Sequence, residues 1–253
     1  MKIIDYIKAL RQIVFPQKCA SCGNLLNAHE RFLCTTCLLH LPYTGYKGKP
    51  GNPVERKFWE QKIVLRATAY LHYFPGTDSA RPVLALKYFG KTFLGEYLGT
   101  LAAQELATTD FFDGIDFLVP LPLHKDRKAS RGYNQSYEIA RGVRHITQLP
   151  IKANYIKRVR ANQSQTHLSG RERRENVADI FKVTHPQKLR GKHILLIDDV
   201  LTTGATLLSC ITELAQISGL RVSILTLYVT GRPATAPNIH HPDVTTLQVQ
   251  RHT

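Results

Sequence analysis

The chain has 253 residues, 43% of them apolar, and a formal charge of +15. The apolar share is ordinary for a chain with a real core, and the length allows one large domain, or one domain with a small appendage. The charge says nothing of the fold but favours anionic partners: nucleotides, nucleic acid or a membrane surface. Charged residues break every long apolar run, which reads against a transmembrane helix. Asp5, Lys8 and Arg11 interrupt the first apolar stretch and no small-residue cleavage site follows, so a signal peptide is not expected and a cytoplasmic protein is.

Residues 3–14 set Ile3, Ile4, Ile7, Leu10 and Val14 on one helical face. This reads as a helix packed on its own protein rather than on a membrane, ended by Pro16. Cys19-Ala-Ser-Cys22-Gly follows, then Cys34-Thr-Thr-Cys37, with eleven residues between Cys22 and Cys34. Two C-x-x-C knuckles at this range can put Cys19, Cys22, Cys34 and Cys37 on one tetrahedral ion, for which zinc is the usual occupant. Four ligands close the shell, so the site is expected to be structural. In a reducing cytosol the arrangement favours metal over disulfides. Residues 43–57, rich in Gly, Pro and Lys, read as a linker or long loop. The expected organisation is therefore an N-terminal helix and zinc-ribbon module over 1–50 and a main domain over 51–253.

In the main domain, residues 64–74 alternate and predict a strand. Residues 79–90 and 92–107 predict helices separated by Gly90, and 115–119 a buried strand. That strand runs into Pro120-Leu-Pro-Leu-His124 and a basic, glycine-containing stretch before a helix from Ser136. Strand, basic loop and helix make an anion cradle, with Lys125, Arg131, Gly132 and Asn134 as candidate contacts. Residues 155–185 carry Arg158, Arg160, Asn162, Gln163, Arg171, Arg173, Arg174 and Asn176, too polar for a core element, and read as a mobile lid.

The most specific stretch is Lys192 to Cys210, KHILLIDDVLTTGATLLSC. His193 to Ile197 is a buried-type strand, the acids Asp198 and Asp199 follow it, and Leu207, Leu208 and Ile211 resume at helical spacing. Between them, Thr202, Thr203, Gly204, Ala205 and Thr206 offer backbone N–H groups and hydroxyls beneath a helix N-terminus, a cradle for a phosphate monoester. Open α/β sheets bind ligands at the carboxyl ends of their strands, where these acids are expected. Two carboxylates beside a phosphate cradle point to a sugar phosphate, with a divalent cation offsetting the charge. Cys210 reads as a core residue. Arg221 to Val229 is a further strand, and His240 and His241 read as loop histidines.

IDDVLTTGAT resembles the phosphoribosyl diphosphate (PRPP) signature of the type I phosphoribosyltransferases. The resemblance implies a central, mostly parallel sheet, with Asp198 and Asp199 on the ribose hydroxyls and residues 202–206 on the 5-phosphate. With the two C-x-x-C pairs, NPVERKFW, LKYFGKTFLGEYLG, VPLPLHKDRKASRGYNQS and the R-x-N-Q-S-Q-T-H-L stretch with Arg171 and Asn176 downstream, the chain up to about residue 232 resembles the ComF family. That family is associated with natural transformation and acts on incoming DNA, in the company of other DNA-processing competence proteins, without a securely established transferase reaction.

Two functions follow. One is an enzyme that binds PRPP with Mg²⁺ and transfers ribose 5-phosphate to a nucleobase or related acceptor, the leaving pyrophosphate held near Lys125 to Asn134. The other is a competence-type binding protein whose working partner is single-stranded DNA, with PRPP as ligand or regulator. No stretch reads as a nucleobase pocket, whereas thirteen Lys/Arg against three Asp/Glu between Leu121 and Arg174 suit a polyanion. Tyr133, Tyr137 and Tyr155 in that region are candidates for stacking on unpaired bases. The sequence favours the second reading.

Overall fold

The computed structural model describes residues 17–88, 92–160 and 180–231. The helix expected over 3–14, the central part of the expected lid, and His240 and His241 lie outside the described residues.

Four strands form one parallel sheet: β1 (Val64–Tyr73), β2 (Phe117–Pro120), β5 (His193–Leu201) and β6 (Arg221–Thr230), in the order β1-β6-β5-β2. β2 and the first half of β5 are apolar runs, and the middle positions of β1 and β6 are buried on both faces even where they carry Thr68, His72, Ser223 or Thr226, as strands covered on both sides are. Leu118, Leu195, Ile197, Leu225 and Leu227 bury one face against helices α4 (Thr92–Leu106) and α6 (Gln135–Thr147). Phe117, Val119, Ile194, Leu196, Val222 and Ile224 bury the other against α8 (Ala205–Leu214), where Cys210 is a core residue as expected.

Each edge of the sheet is covered. Tyr43 bridges Leu71 on the outer side of β1, with the Thr44 N–H on the Tyr70 carbonyl at 3.0 Å and the His72 N–H on the Pro42 carbonyl at 2.7 Å. Ile151 bridges Leu118 outside β2. Segments laid along both edges leave less of the ladder free to recruit another chain.

Three segments differ from expectation. Residues 43–57 are packed structure rather than a linker. They hold α2 (Pro53–Arg56), capped by the buried Asn52, whose Oδ1 accepts from the Val54 N–H at 2.9 Å while Nδ2 donates to the Ala67 carbonyl at 2.7 Å. Val54 and Phe58 sink into the core. The basic stretch after β2 is a helix, α5 (Lys125–Arg131), ended by Gly132 in the left-handed region. The ends of the segment read as a lid are core: β3 (Ile156–Arg158) and β4 (Phe181–Val183) pair antiparallel, burying Tyr155, Ile156, Ile180 and Phe181. The remaining elements are α1 (Thr35–Leu39), α3 (Arg81–Tyr88) and α7 (Pro186–Leu189).

Helices α4 and α6 touch backbone to backbone. A Cβ on Gly142 would sit 2.0 Å from the Glu96 carbonyl oxygen, and one on Gly99 would sit 2.3 Å from that of Ile139. Neither neighbour can give way, since both are main chain. Gly142→Ala is expected to force the helices apart and cost about 2 kcal/mol. A thermal melt should register this as a fall of about 4–8 °C, and an unchanged melt would contradict the packing.

Candidate functional site

β2 ends at Pro120, paired with Ile197, while β5 runs on to Leu201 against β6. Asp198 and Asp199 therefore lie within the strand, not after it as expected. The ladder to β6 is main-chain bonding and does not depend on side-chain polarity, so the acids need not end it. On the β2 side the chain turns away: the Leu121 N–H donates to the Ile197 carbonyl at 2.8 Å and the backbone then enters α5. The two chains thus part beside the acid pair. α6, which follows β2 and α5, covers one face of the sheet, and the helix after β5, α8, covers the other. Such a point, where successive crossovers go to opposite faces, is the usual ligand crevice of an open parallel sheet.

The acids are held individually. The Ser136 hydroxyl donates to Asp198 Oδ1 at 3.1 Å, and the Asp199 N–H donates to the same oxygen at 2.9 Å. Asp199 takes the Val200 N–H at 2.7 Å and lies 3.4 Å from Lys87 Nζ. Burial, and then the charge of Asp199, push the Asp198 carboxyl up to about 7 against these donors and the nearby Lys87. At neutral pH the pair therefore holds part of a proton, and a cation placed there would release it.

The turn Thr202-Thr203-Gly204 joins β5 to α8, with Ala205 and Thr206 in the first helical turn. Gly204 is the N-cap at φ +86°, a conformation that favours glycine, and no side chain caps the helix. The Ala205 N–H makes a long bond of 3.4 Å to the Thr203 hydroxyl, and Gly204 itself supplies no side-chain acceptor to the N–H groups that follow, which suits an anion. Thr202, Thr203 and Ala205 are exposed, while the Phe58 ring, itself buried, comes within 3.9 Å of where a Gly204 Cβ would sit. The turn rests on the core and opens outward.

The second expected cradle is laid out differently. Lys125, Arg127 and Lys128 are exposed on α5. Arg131 donates to Gln135 Oε1 at 2.9 Å, and the buried Gln135 Nε2 has no partner among the described residues. Asn134 serves structure: its Oδ1 caps α6 at the Ser136 N–H, 3.1 Å, and its Nδ2 donates to the Leu121 carbonyl at 3.0 Å. Of the three tyrosines expected to stack on bases, Tyr155 is 9% exposed and packed on Phe117. Tyr133 gives its hydroxyl to the Leu86 carbonyl, and only Tyr137 is exposed. The sequence reading missed Trp59, the chain's one tryptophan, which is 64% exposed with the Arg56 guanidinium 5.7 Å above its ring. It also missed Lys87, Ser136 and Gln135 as neighbours of the site, because only the tertiary fold brings them there.

The four cysteines expected to bind metal converge, with all sulfurs within 4.8 Å of one another. Cys19 Sγ accepts from the N–H groups of Ser21 at 3.4 Å and Cys34 at 3.3 Å, and Cys34 Sγ from that of Cys37 at 3.4 Å. Burial opposes ionisation of Cys19, but these N–H bonds bring it down to about 7. Burial and the other sulfurs push Cys37 up to about 12. Four adjacent thiolates repel, so only a cation lets them ionise together. The donor set and its N–H···S bonds fit a tetrahedral metal.

A parallel sheet with paired acids and a glycine-capped phosphate-sized turn at its carboxyl end defines a type I phosphoribosyltransferase fold, and residues 129–253 match the phosphoribosyl transferase domain family. The chain belongs to the ComF family. It is 33% identical over 202 residues to the DNA utilization protein YhgH of Salmonella typhi, covering 79% of this chain and 82% of that one. It is 24% identical over 209 residues to competence protein F of Haemophilus influenzae, covering 76% and 88%. Among solved structures it spans 29% of the allosteric regulatory enzyme of purine biosynthesis, at 17% identity over 56% of this chain and a TM-score of 0.38. Among the described residues no helix is long and apolar enough to cross a membrane.

Proposed function

We propose that this chain is a competence-type DNA utilisation protein, whose phosphoribosyltransferase domain binds PRPP with Mg²⁺ and whose basic surface binds single-stranded DNA. Its relatives' names, competence protein F and DNA utilization protein, support the biological role. The observation that carries the ligand reading is the pairing of Asp198 and Asp199 where β2 parts from β5, with a glycine-capped turn one strand-end away. Asp198 and Asp199 would take the ribose hydroxyls, and Thr202 to Thr206 the 5-phosphate. Lys125, Arg131 and Gly132 would line the diphosphate side, with Asn134 holding that turn to Leu121. Bound Mg²⁺ would neutralise diphosphate charge and the acid pair. The protein's own work is to bind and orient, and Ser136 fixes the carboxylate of Asp198 for it.

Replacing both acids by asparagine should weaken PRPP binding at least about tenfold, since hydrogen bonds to charged groups are the strong ones. Isothermal titration with Mg²⁺ present measures this, and parent-like binding would misplace the site. Asp198 must ionise to serve, so affinity should rise about tenfold between about pH 6 and about pH 8 and then level off. A product screen with nucleobases and oligonucleotides tests for transfer; turnover there would make the protein an enzyme.

The four cysteines would hold one structural zinc ion, and the reading is of a cytosolic protein, where such thiols stay reduced. Metal analysis should find about one zinc per chain, lost in Cys34→Ala together with the order of residues 19–41. Zinc-free protein that keeps this segment folded would sink the assignment.

For DNA, the exposed cations of α5 and the Arg56–Trp59 pair support strand binding. A platform of aromatic ring and guanidinium suits unpaired bases without sequence preference. With about four phosphates neutralised, log K should fall against log salt with a slope near −3. Lys125, Lys128 and Arg131 changed together to Ala should flatten it toward about −1. A mixed-sequence strand should also quench Trp59 fluorescence; no binding at low salt would remove DNA from the proposal.

A further inference from the structure

Lys87 has no part in the roles above, yet it is built into the site. Its Nζ stands 3.4 Å from Asp199 Oδ2, with the two side chains 22% and 16% exposed. A pair so withdrawn from water costs desolvation, and one made only for stability would be better placed elsewhere. The lysine is delivered with care. The Tyr133 hydroxyl donates to the carbonyl of Leu86, the residue before it, and Leu86 packs where α4 has Gly95 in place of a side chain. Tyr133 and Ser136 belong to one turn, and Ser136 holds Asp198. The same short segment therefore fixes an acid and, through α3, the ammonium beside its neighbour.

We propose that Lys87 is a placeholder cation that becomes a diphosphate-positioning residue. In the free protein its ammonium fills the place beside Asp199 that a divalent cation takes with the phosphoribosyl ligand. An ammonium and a divalent cation held against the same carboxylate repel each other at short range, so the lysine gives way as the metal arrives. A compact charge on a flexible four-carbon stem can make that move. Its new partners are the diphosphate oxygens, which are the unneutralised anions nearest to it. Occupying the acids with Lys87 makes the site poor for a bare metal ion and good for metal and diphosphate together. This inference rests on the PRPP reading above.

The two halves of the exchange give opposite effects, which a merely structural residue would not. Lys87→Met should bind Mn²⁺ alone about tenfold more tightly, read from free Mn²⁺ by electron paramagnetic resonance, because its competitor is gone. With Mn²⁺ saturating, the same variant should bind PRPP about tenfold more weakly by calorimetry, and ribose 5-phosphate within about twofold of the parent. Lys87→Arg keeps the charge and should restore PRPP binding in part. Parent-like binding of both ligands by the Met variant, or a shift of both in one direction, would overturn the inference. A parent protein that does not bind PRPP would instead overturn the reading beneath it, and a folded Lys87→Arg stands in should the Met variant melt early.

Discussion

Two carboxylates on neighbouring residues of one strand repel each other, and much of the site is arranged around that repulsion. Asp198 keeps a high proton affinity because its carboxyl is desolvated next to the charge of Asp199. It is tolerated because Ser136 and a backbone N–H donate to one of its oxygens, and because Lys87 lies against its neighbour. Those donors come from three separate stretches of chain. The β2 strand must stop at Pro120 to leave room, α6 must begin where its first turn reaches the acid, and α3 must bring Lys87 to Asp199. A site that is under-neutralised when empty has a standing preference for a cationic or cation-bearing ligand.

The glycines of the α4–α6 contact belong to the same arrangement. Backbone contact at Gly99 and Gly142 seats α6 deep on the sheet, and the N-terminus of α6 carries Ser136. Gly95 gives Leu86 its seat and so sets α3. Small residues on α4 thus fix both the hydroxyl and the ammonium that serve the acids, from a helix that carries none of the binding groups itself.

The sheet and its signature were legible in sequence because their signals are local. His193 to Ile197 is an unbroken apolar run, and TTGAT carries its turn residue at the one place where φ is positive. Where the strand ended was not legible, since the pairing of Asp198 with Thr226 is set by β6 and not by the aspartate. The α5 helix read as a loop because KDRKASR has no apolar face; its residues are exposed, and it is held by a His124 cap and its Gly132 end. The β3–β4 hairpin was hidden for another reason. Tyr155 and Ile156 find Ile180 and Phe181 across a polar stretch, and no short window contains both halves. The ion pair of Lys87 with Asp199 is the extreme case, a contact between two motifs that periodicity treats separately.

The cysteine cluster was legible as a spacing, but its relation to the rest was not. Cys19, Leu33 and Leu41 belong to the same buried cluster as the sheet face under α4 and α6, and the residues just after them bond to the outer edge of β1. On the zinc reading, a metal that organised residues 19–37 would therefore also steady the strand edge and the run into α2. From α2 the chain passes to Phe58, which lies against Gly204 beneath the phosphate-sized turn, and to the exposed Trp59 beside it. On the proposed reading this places the aromatic platform at one side of the sugar-phosphate crevice and the cations of α5 beyond β2 at the other. A strand bound to both would run past the mouth of the ligand site. Small ligand and polyanion would then draw on one electrostatic field, so that filling the crevice with a diphosphate lowers the positive potential available to the strand.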